Sequence, residues 1–421
     1  MDKTGDNDHQ LGDNDRQLGD DDRQLGDDAL RSVVEELEPI PRLPTSPGER
    51  HAARLIADRL SRLGRPARIE DVDAYRSYAW PIGLLSAVSV AAAVAARRQH
   101  RVLGVLGGLL AAAGIIDDIS GGPMLTRRLF MRKRSTQNVI AEIGDPSAAV
   151  TLVVLAHHDA APSGVIFSSD VETWLADHHP EVIRRMTSNP PLWWPVIAGP
   201  ALVAAGSASG SIRGRRLVRL GAGLSLTALL ALLDIGHRPA VPGANDNLSG
   251  VAALIAAARA VTADPPENVR LILASMGAEE ALQQGVRGFA RRHFSELPPE
   301  TTYFVVLDTI GFGRLVMLEA EGPVRLHEYD RRFKDLVGQC AETLDIDLHR
   351  GLRSRNSTDG SVPQRHGYPT VSIVSVDERK LMPHYHLYSD TSENLDYGSV
   401  GQAARLVVAI ARRLGEASTT R

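Results

Sequence analysis

Residues 150–160 read VTLVVLAHHDA, a run of aliphatic and β-branched residues that ends in two histidines and an aspartate. A run of this length without alternating polar residues is typical of a strand covered on both faces. The residues from His157 to Asp159 would then lie at the carboxyl edge of a sheet, where open α/β folds collect their reactive groups. The segment predicts a buried parallel strand and a functional site at its end.

Other segments repeat this pattern on both sides of it. Strand-like composition is found at residues 137–143, 269–276, 302–307 and 369–376. Helix-like segments are residues 46–64, 248–261, 329–344 and 400–414. Buried strands that alternate with helices predict an α/β domain with a mainly parallel mixed sheet flanked by helices.

Reactive side chains follow the ends of several predicted strands. They are His157, Asp159, Glu279, Glu280, Asp308 and His386, together with Asp246 before the helix at 248–261. Buried carboxylates placed side by side repel one another unless a cation neutralises them. Imidazole and carboxylate ligands suit zinc, and a single cysteine, Cys340, excludes a thiolate cluster. We therefore predict a zinc site, the alternative being that these are unrelated surface groups.

Five blocks that contain these residues resemble, in the same order, the motifs of the M28 family of metallopeptidases. The blocks are LVVLAHHDA (152–160), GANDNLSGVAALI (243–255), LILASMGAEEA (271–281), VVLDTIG (305–311) and YHLYSDTSENLD (385–396). The resemblance implies the zinc aminopeptidase fold, two zinc ions and an exopeptidase activity. An aminopeptidase is favoured on family grounds alone.

The resemblance also implies a role for each residue. Asp246 would bridge two zinc ions, His157 and Asp308 would complete one site, and Glu280 and His386 the other. Glu279 would be the general base, taking a proton from the activated water. Asp159 would hydrogen-bond the far nitrogen of His157 and fix its tautomer. Asp390 is a candidate to support His386 in the same way.

Two features depart from the family pattern. Residues 160–245 separate Asp159 from Asp246, where the family usually keeps these two blocks close together. Residues 358–360 read Thr-Asp-Gly where the family often has Ser-Asp-His, so a side-chain preference cannot be carried over from the family.

Four uncharged apolar runs interrupt the α/β pattern. They are residues 79–96, 102–116, 192–210 and 217–233, joined in pairs by the basic links RRQHR and SIRGRR. Their lengths approach the ~20 residues needed to cross a bilayer. We predict two membrane hairpins, within 79–116 and 191–236, with Trp193 and Trp194 at an interface. Two buried hairpins of a soluble core are the alternative. Arginines in both links favour cytoplasmic tips, but the basic segment 127–134 opposes this, so the side stays open.

The first 28 residues differ from the rest in composition. Residues 5–28 repeat the unit GDNDHQL, and residues 1–28 carry ten Asp against Lys3, Arg16 and Arg23. Such a tract buries too little apolar surface to fold, which predicts a disordered acidic tail with no signal peptide. The remaining chain has a formal charge of +3, the total being −4, and no basic face that would indicate a nucleic-acid partner.

These patterns divide the chain into a peptidase domain and two hairpins. Residues 29–78, 135–190 and 237–415 would form the domain, with a peptide substrate and a lipid bilayer as partners. One alternative is a glutaminyl-cyclase-like aminoacyltransferase, which shares the fold and uses one zinc. The other is an inactive scaffold, which the filled ligand positions disfavour.

Overall fold

A seven-stranded mixed sheet forms the centre of the structure, a computed structural model that describes residues 26–64, 66–168 and 170–419. The strands are β1 (Arg68–Ala74), β2 (Arg134–Gly144), β3 (Val150–His157), β4 (Val269–Met276), β5 (Thr302–Leu307), β6 (Arg314–Met317), β7 (Ala320–Glu321), β8 (His327–Glu328), β9 (Arg353–Ser354) and β10 (Thr370–Val376). The main sheet has the order β1-β2-β4-β3-β5-β10-β6, and β7, β8 and β9 form a small second sheet.

The four central strands, β4, β3, β5 and β10, are parallel to one another. Antiparallel pairings flank them: β2 runs opposite to β4 and β1 opposite to β2 at one edge, and β6 runs opposite to β10 at the other. This arrangement confirms the predicted α/β fold. The sequence pattern did not predict β1 and β6, which lie at the two edges of the sheet.

Helices surround this sheet and also form the apolar part of the chain. They are α1 (26–37), α2 (Pro47–Ser61), α3 (Ala79–Arg97), α4 (Arg101–Ile119), α5 (Leu125–Phe130), α6 (Asp170–His178), α7 (Pro180–Arg185), α8 (Trp193–Ser209), α9 (Ile212–His237), α10 (Gly250–Ala263), α11 (Gln284–His293), α12 (Arg331–Thr343), α13 (Ser361–Arg365) and α14 (Tyr397–Thr419). Residues 26–28, which we assigned to the acidic tail, belong to α1, and the rest of that tail lies outside the described residues.

Both faces of the sheet are covered, as alternate residues of β3 show. Leu152 and Val154 pack into the core formed with α1, α2, α10, α12 and α14. Val153 and Leu155 point the other way, into the core formed with α11 and α13. All four side chains are fully buried, which explains why the strand has no polar alternation.

Helices α3, α4, α8 and α9 form a separate unit, which we call the hairpin unit. Three of them, α3, α4 and α9, are long and apolar enough to cross a membrane. Helix α8 has 17 residues, and its outward Trp194 is half exposed. Trp193 instead packs edge-on against Tyr78, with ring centroids 5.6 Å apart.

Small residues hold the hairpin unit together. A Cβ added at Gly221 of α9 would lie 2.5 Å from the carbonyl oxygen of Gly199 in α8. Ser89 of α3 and Ser225 of α9 share a buried hydrogen bond of 2.8 Å. Backbones that approach this closely need small side chains, as in helix packing within lipid.

A buried ion pair joins the hairpin unit to the sheet domain. Arg127 of α5 and Asp118 of α4 are both fully buried, and their nearest side-chain atoms are 2.6 Å apart. Arg127 also donates to the carbonyl oxygen of Ala281 at 2.6 Å. Ala281 directly follows Glu279 and Glu280, so Arg127 connects Asp118 of the hairpin unit to the backbone at the end of β4.

Candidate metal centre

The predicted site residues occupy the carboxyl ends of neighbouring strands. His157 ends β3, Glu279 and Glu280 follow β4, and Asp308 follows β5. These four side chains, together with Asp246 from the loop before α10, line one cavity of about 260 Å³. His386 comes from the loop after β10 and joins them. All six side chains are buried.

Three of these residues meet at distances suited to a metal ion. One ligand atom each from His157, Asp246 and Glu280 lies within 4.8 Å of the other two. His386 adjoins this group, with its Nε2 atom 3.4 Å from Oε1 of Glu280. Asp308 lines the same cavity.

Asp246 lies between the two histidines, and each of its oxygens faces a different one. Oδ1 is 3.1 Å from Nε2 of His157, and Oδ2 is 3.2 Å from Nε2 of His386. A carboxylate in this orientation can give one oxygen to each of two metal ions.

The electrostatics of the group show an excess of buried acid. Burial raises the pKa of Asp308 to about 7 and that of Glu279 well above its usual range. Against the effect of burial, Glu280 and Asp246 raise the pKa of His386 to about 10. The carboxylates thus lack sufficient compensating charge, and cations would supply it.

Unpaired ligand atoms also indicate a place for cations among these residues. Among the described residues, Oε1 of Glu280 and Nε2 of His386 are buried without a hydrogen bond of acceptable geometry, although they lie close together. Buried polar atoms are rarely left in this state. Imidazole nitrogen and carboxylate oxygen are both zinc ligands, so the residues present fit a zinc site.

Glu279 is held by a residue that the sequence analysis missed. Nε2 of Gln283 donates to Oε1 of Glu279 at 3.0 Å and to the carbonyl oxygen of Ser357 at 3.0 Å. The amide thus fixes one oxygen of Glu279, which lines the cavity beside Glu280. Only the spacing of four residues could have indicated this contact.

Two aspartates hold the backbone of the ligand loops. Asp159 accepts hydrogen bonds from the amides of Glu279 and Glu280, both at 3.0 Å. Its Oδ1 is 3.6 Å from Nδ1 of His157, whose nearer neighbour is the main-chain oxygen of Asp159 at 3.2 Å.

Asp390 acts similarly on the Asp246 loop. It accepts from the amides of Asn245 at 2.7 Å and Asp246 at 3.1 Å. Nδ1 of His386 has no hydrogen-bond partner within the described part of the chain. Asp390 therefore supports Asp246, and our expectation that it supports His386 is wrong.

The asparagines beside Asp246 tie its loop to the end of β5. Oδ1 of Asn247 accepts from the amides of Gly250 and Thr309, both at 3.1 Å. Oδ1 of Asn245 accepts from the amide of Gly311 at 2.6 Å. The peptide bond between Asp246 and Asn247 is cis. These contacts fix the loop next to Asp308.

A buried arginine was also missed. Arg42 is fully buried, and its guanidinium donates to the carbonyl oxygens of His158 at 3.0 Å, Pro242 at 2.6 Å and Gly243 at 3.2 Å. It thereby links the loop after β3 to the loop that carries Asp246. Its partners are backbone atoms, so no sequence motif marks it.

Comparison with known proteins finds a family model that matches part of the chain. Residues 233–411 match the model of peptidase family M28. A glutaminyl cyclase from Bacteroides thetaiotaomicron has a TM-score of 0.53 and 15% identity, over 92% of this chain and 97% of its own. No curated protein sequence matches the chain.

Two peptidase structures are similar to the same extent. A Zn-dependent exopeptidase from Parabacteroides distasonis has a TM-score of 0.51 and 15% identity, over 91% of this chain and 97% of its own. A leucine aminopeptidase precursor from Bacteroides thetaiotaomicron has a TM-score of 0.51 and 15% identity, over 92% of this chain and 96% of its own. At such identities the likeness shows the fold, and it confirms the predicted one.

Proposed function

We propose that this chain, whose residues 233–411 match the model of peptidase family M28, is a zinc-dependent aminopeptidase. The observation that carries the proposal is the buried meeting of His157, Asp246 and Glu280 at the strand ends, with Glu279 beside them. Four chain segments contribute to this group, including the loop of His386. A fold has little other reason to bury so many acids together.

Five residues would hold two zinc ions in this site. Asp246 would be shared, His157 and Asp308 would bind one ion, and Glu280 and His386 would bind the other. When bound, two zinc ions lower the pKa of a shared water and polarise the scissile carbonyl. The orientation of Asp246, with one oxygen toward each histidine, supports the count of two.

Glu279 is the proton carrier in this proposal. It takes a proton from the attacking water and returns it to the leaving amine. Burial raises its pKa well above the usual range without a metal, and bound cations would lower that pKa so that the carboxylate can accept a proton. Gln283 keeps one of its oxygens in place, leaving the other for the proton.

Replacing Glu279 tests this role. We expect Glu279→Gln to keep both zinc ions and to lose about 10²–10⁴-fold in kcat on aminoacyl anilides, because a general base contributes about that much. Glu300→Gln, at an exposed glutamate, is the matched control and should remain fully active. A fully active Glu279→Gln protein that contains zinc would show that another group moves the proton.

The glutaminyl-cyclase neighbours support a second candidate on the same fold. A cyclase would convert peptides with an N-terminal glutamine to the cyclic product, releasing ammonia. Zinc counting and product analysis separate the two functions. Two zinc ions per chain with release of free amino acids favour the peptidase, whereas one zinc and cyclised product favour the cyclase.

We also propose that the hairpin unit lies in a bilayer. Its outward face carries exposed leucines, among them Leu103, Leu106, Leu109 and Leu110 on α4. A soluble protein rarely exposes a contiguous apolar surface of this kind. The metal centre would then lie close to the membrane surface.

A further inference from the structure

A buried glutamate outside the proposed ligand set lies beside the turn that follows β4. Glu49 belongs to the first turn of α2, and its side chain is fully buried. Its Oε1 atom accepts hydrogen bonds from the amide of Ala278 at 2.8 Å and from the hydroxyl of Thr136 at 2.7 Å. Its Oε2 atom accepts from the amide of Thr45 at 2.8 Å. Both oxygens therefore have defined donors, and one of these donors belongs to the turn.

Three consecutive amides of this turn donate to two buried carboxylates. The amide of Ala278 donates to Glu49. The next two amides, of Glu279 and Glu280, donate to Asp159, both at 3.0 Å. Ala278 has a left-handed backbone conformation with φ of +50°, which is uncommon for a residue with a side chain. The turn is therefore held by anions on its amide side, while its two glutamate side chains line the cavity.

Gly277, the residue before Ala278, shows how closely the elements approach one another here. A Cβ added at Gly277 would lie 2.2 Å from Oγ1 of Thr136 and 3.0 Å from Oε1 of Glu49. The glycine therefore lets β2, which carries Thr136, and α2 pack against the backbone of the turn. A carboxylate held this closely fixes the amide of Ala278 and, through it, the position from which the side chain of Glu279 starts.

Glu49 also occupies a position that is typical of a helix cap. Ser46 precedes α2, and its hydroxyl accepts from the amide of Glu49 at 3.1 Å, as in a capping box. In a capping box the glutamate accepts a hydrogen bond from the amide of the cap residue itself. Here the carboxylate accepts from the amide of Thr45 and also from that of Ala278, far along the chain. Capping of α2 alone does not account for this second contact.

We propose that Glu49 is a positioning residue, which holds the turn after β4 so that Glu279 is in reach of the attacking water. The inference rests on the proposed general-base role of Glu279 and adds a group from α2 that acts through it. Asp159 lies 3.6 Å from the candidate ligand His157, whereas the hydrogen-bond donors to Glu49 are not candidate ligands. A change at Glu49 should therefore alter turnover and spare zinc binding.

Glu49→Gln tests the inference, because it keeps the size of the side chain and replaces one accepting oxygen by a donor. At least one of the hydrogen bonds to the carboxylate is then lost. The whole zinc-loaded chain is assayed in detergent on aminoacyl anilides. We expect kcat to fall about 10–100-fold, the usual effect of losing a group that supports a site residue, while KM and the zinc content stay unchanged. A Glu49→Gln protein with the wild-type kcat would overturn the inference.

Ser46→Ala is the control that separates positioning from capping. It removes the hydroxyl that caps α2 and leaves the carboxylate of Glu49 in place. We expect a lower thermal midpoint, because a helix cap is lost, together with an unchanged kcat. If Ser46→Ala lowers kcat as much as Glu49→Gln does, the effect belongs to the helix and the inference is wrong.

A double-mutant cycle shows whether Glu49 acts through Glu279. In the Glu279→Gln background the general base is already gone, so adding Glu49→Gln should lower the residual kcat by less than about twofold. Two full losses that multiply would mean that Glu49 acts on another group, which would also overturn the inference.

Two further outcomes are kept separate. Should Glu49→Gln fail to fold, Thr136→Val replaces it, because it removes one donor to the same carboxylate oxygen. An unchanged kcat in Thr136→Val would then contradict the inference. A zinc-loaded wild type that cleaves none of the anilides would instead overturn the proposed function itself.

Discussion

Leucines of the central strands and the leucines on the outer face of α4 have opposite surroundings. Leu152 of β3 is fully buried, and its neighbours in the central strands are equally enclosed. Leu109 and Leu110 of α4 are 55% and 63% exposed. The same residue type thus marks a core in one region and an outer surface in the other.

The packing of the two regions differs in the same way. The sheet is held by large aliphatic side chains that interlock with helices on both faces. In the hairpin unit, glycines and serines let backbones touch, and many of the large side chains point outward. Apolar surface drives the first kind of packing in water, and close contact drives the second in lipid.

The largest expected effect comes from breaking the ion pair that joins the two regions. Arg127→Met leaves Asp118 buried without its cation, and removing one partner of such a pair costs about 3–5 kcal/mol. A denaturant titration of the protein in detergent measures this loss as a lower free energy of unfolding. The double variant Asp118→Leu/Arg127→Met should recover most of the stability, because no unpaired charge is left.

Both Arg127 variants also lose the hydrogen bond to the carbonyl oxygen of Ala281. We therefore expect the double variant to keep its zinc but to have a lower kcat than the wild type. Arg128→Met, at the exposed neighbouring arginine, controls for the loss of charge. Equal stability of Arg127→Met and Arg128→Met would contradict the importance of the pair.

The next prediction tests whether the exposed leucines of α4 lie in lipid. Leu110→Lys places a charge near the middle of α4, and a lysine at the centre of a membrane helix costs about 2.5–3.5 kcal/mol. The fraction of protein that resists carbonate extraction from membranes should fall. Ile69→Lys changes an exposed residue of β1 and should have no such effect. Equal extraction of both variants would argue for a hairpin unit in water.

The smallest expected effect tests the close packing of α8 against α9. At Gly221, an added Cβ would lie 2.5 Å from the oxygen of Gly199 and 2.8 Å from the amide nitrogen of Val203. Gly221→Val should therefore destabilise the hairpin unit by about 1–3 kcal/mol, the usual cost of overpacking. Gly223 lies in open space two residues later, so Gly223→Val is the matched control. Equal shifts of the thermal midpoint for Gly221→Val and Gly223→Val in detergent would contradict the close approach of α8 and α9.

The central strands could be predicted because their sequence environment is uniform. Residues 269–276 and 302–307 are the bounds of β4 and β5 in the structure, as predicted. Strand β1 was missed because it is an edge strand: it reads RIEDVDA, and its polar side chains face water or pair with charges. Local composition predicts a strand well only where both faces are buried.

The candidate site also has residues that the local sequence predicts and residues that it does not. The candidate ligands and Glu279 follow strands or lie in loops beside them, and the structure brings them together as the sequence predicted. Arg42 and Gln283 could not be predicted, because each acts on atoms brought near only by the fold. Asp390 was assigned to the wrong partner for the same reason, since the backbone amides it accepts from carry no signature of their own.

The length of α4 has a further consequence for the proposed bilayer. Its uncharged part, residues 102–116, rises only about 22 Å at 1.5 Å per residue. A typical hydrocarbon layer is about 30 Å thick, and a short span is matched by local thinning or by long basic side chains that reach outward. Around this protein the lipid would thin locally, which would bring water and headgroups closer to the metal centre.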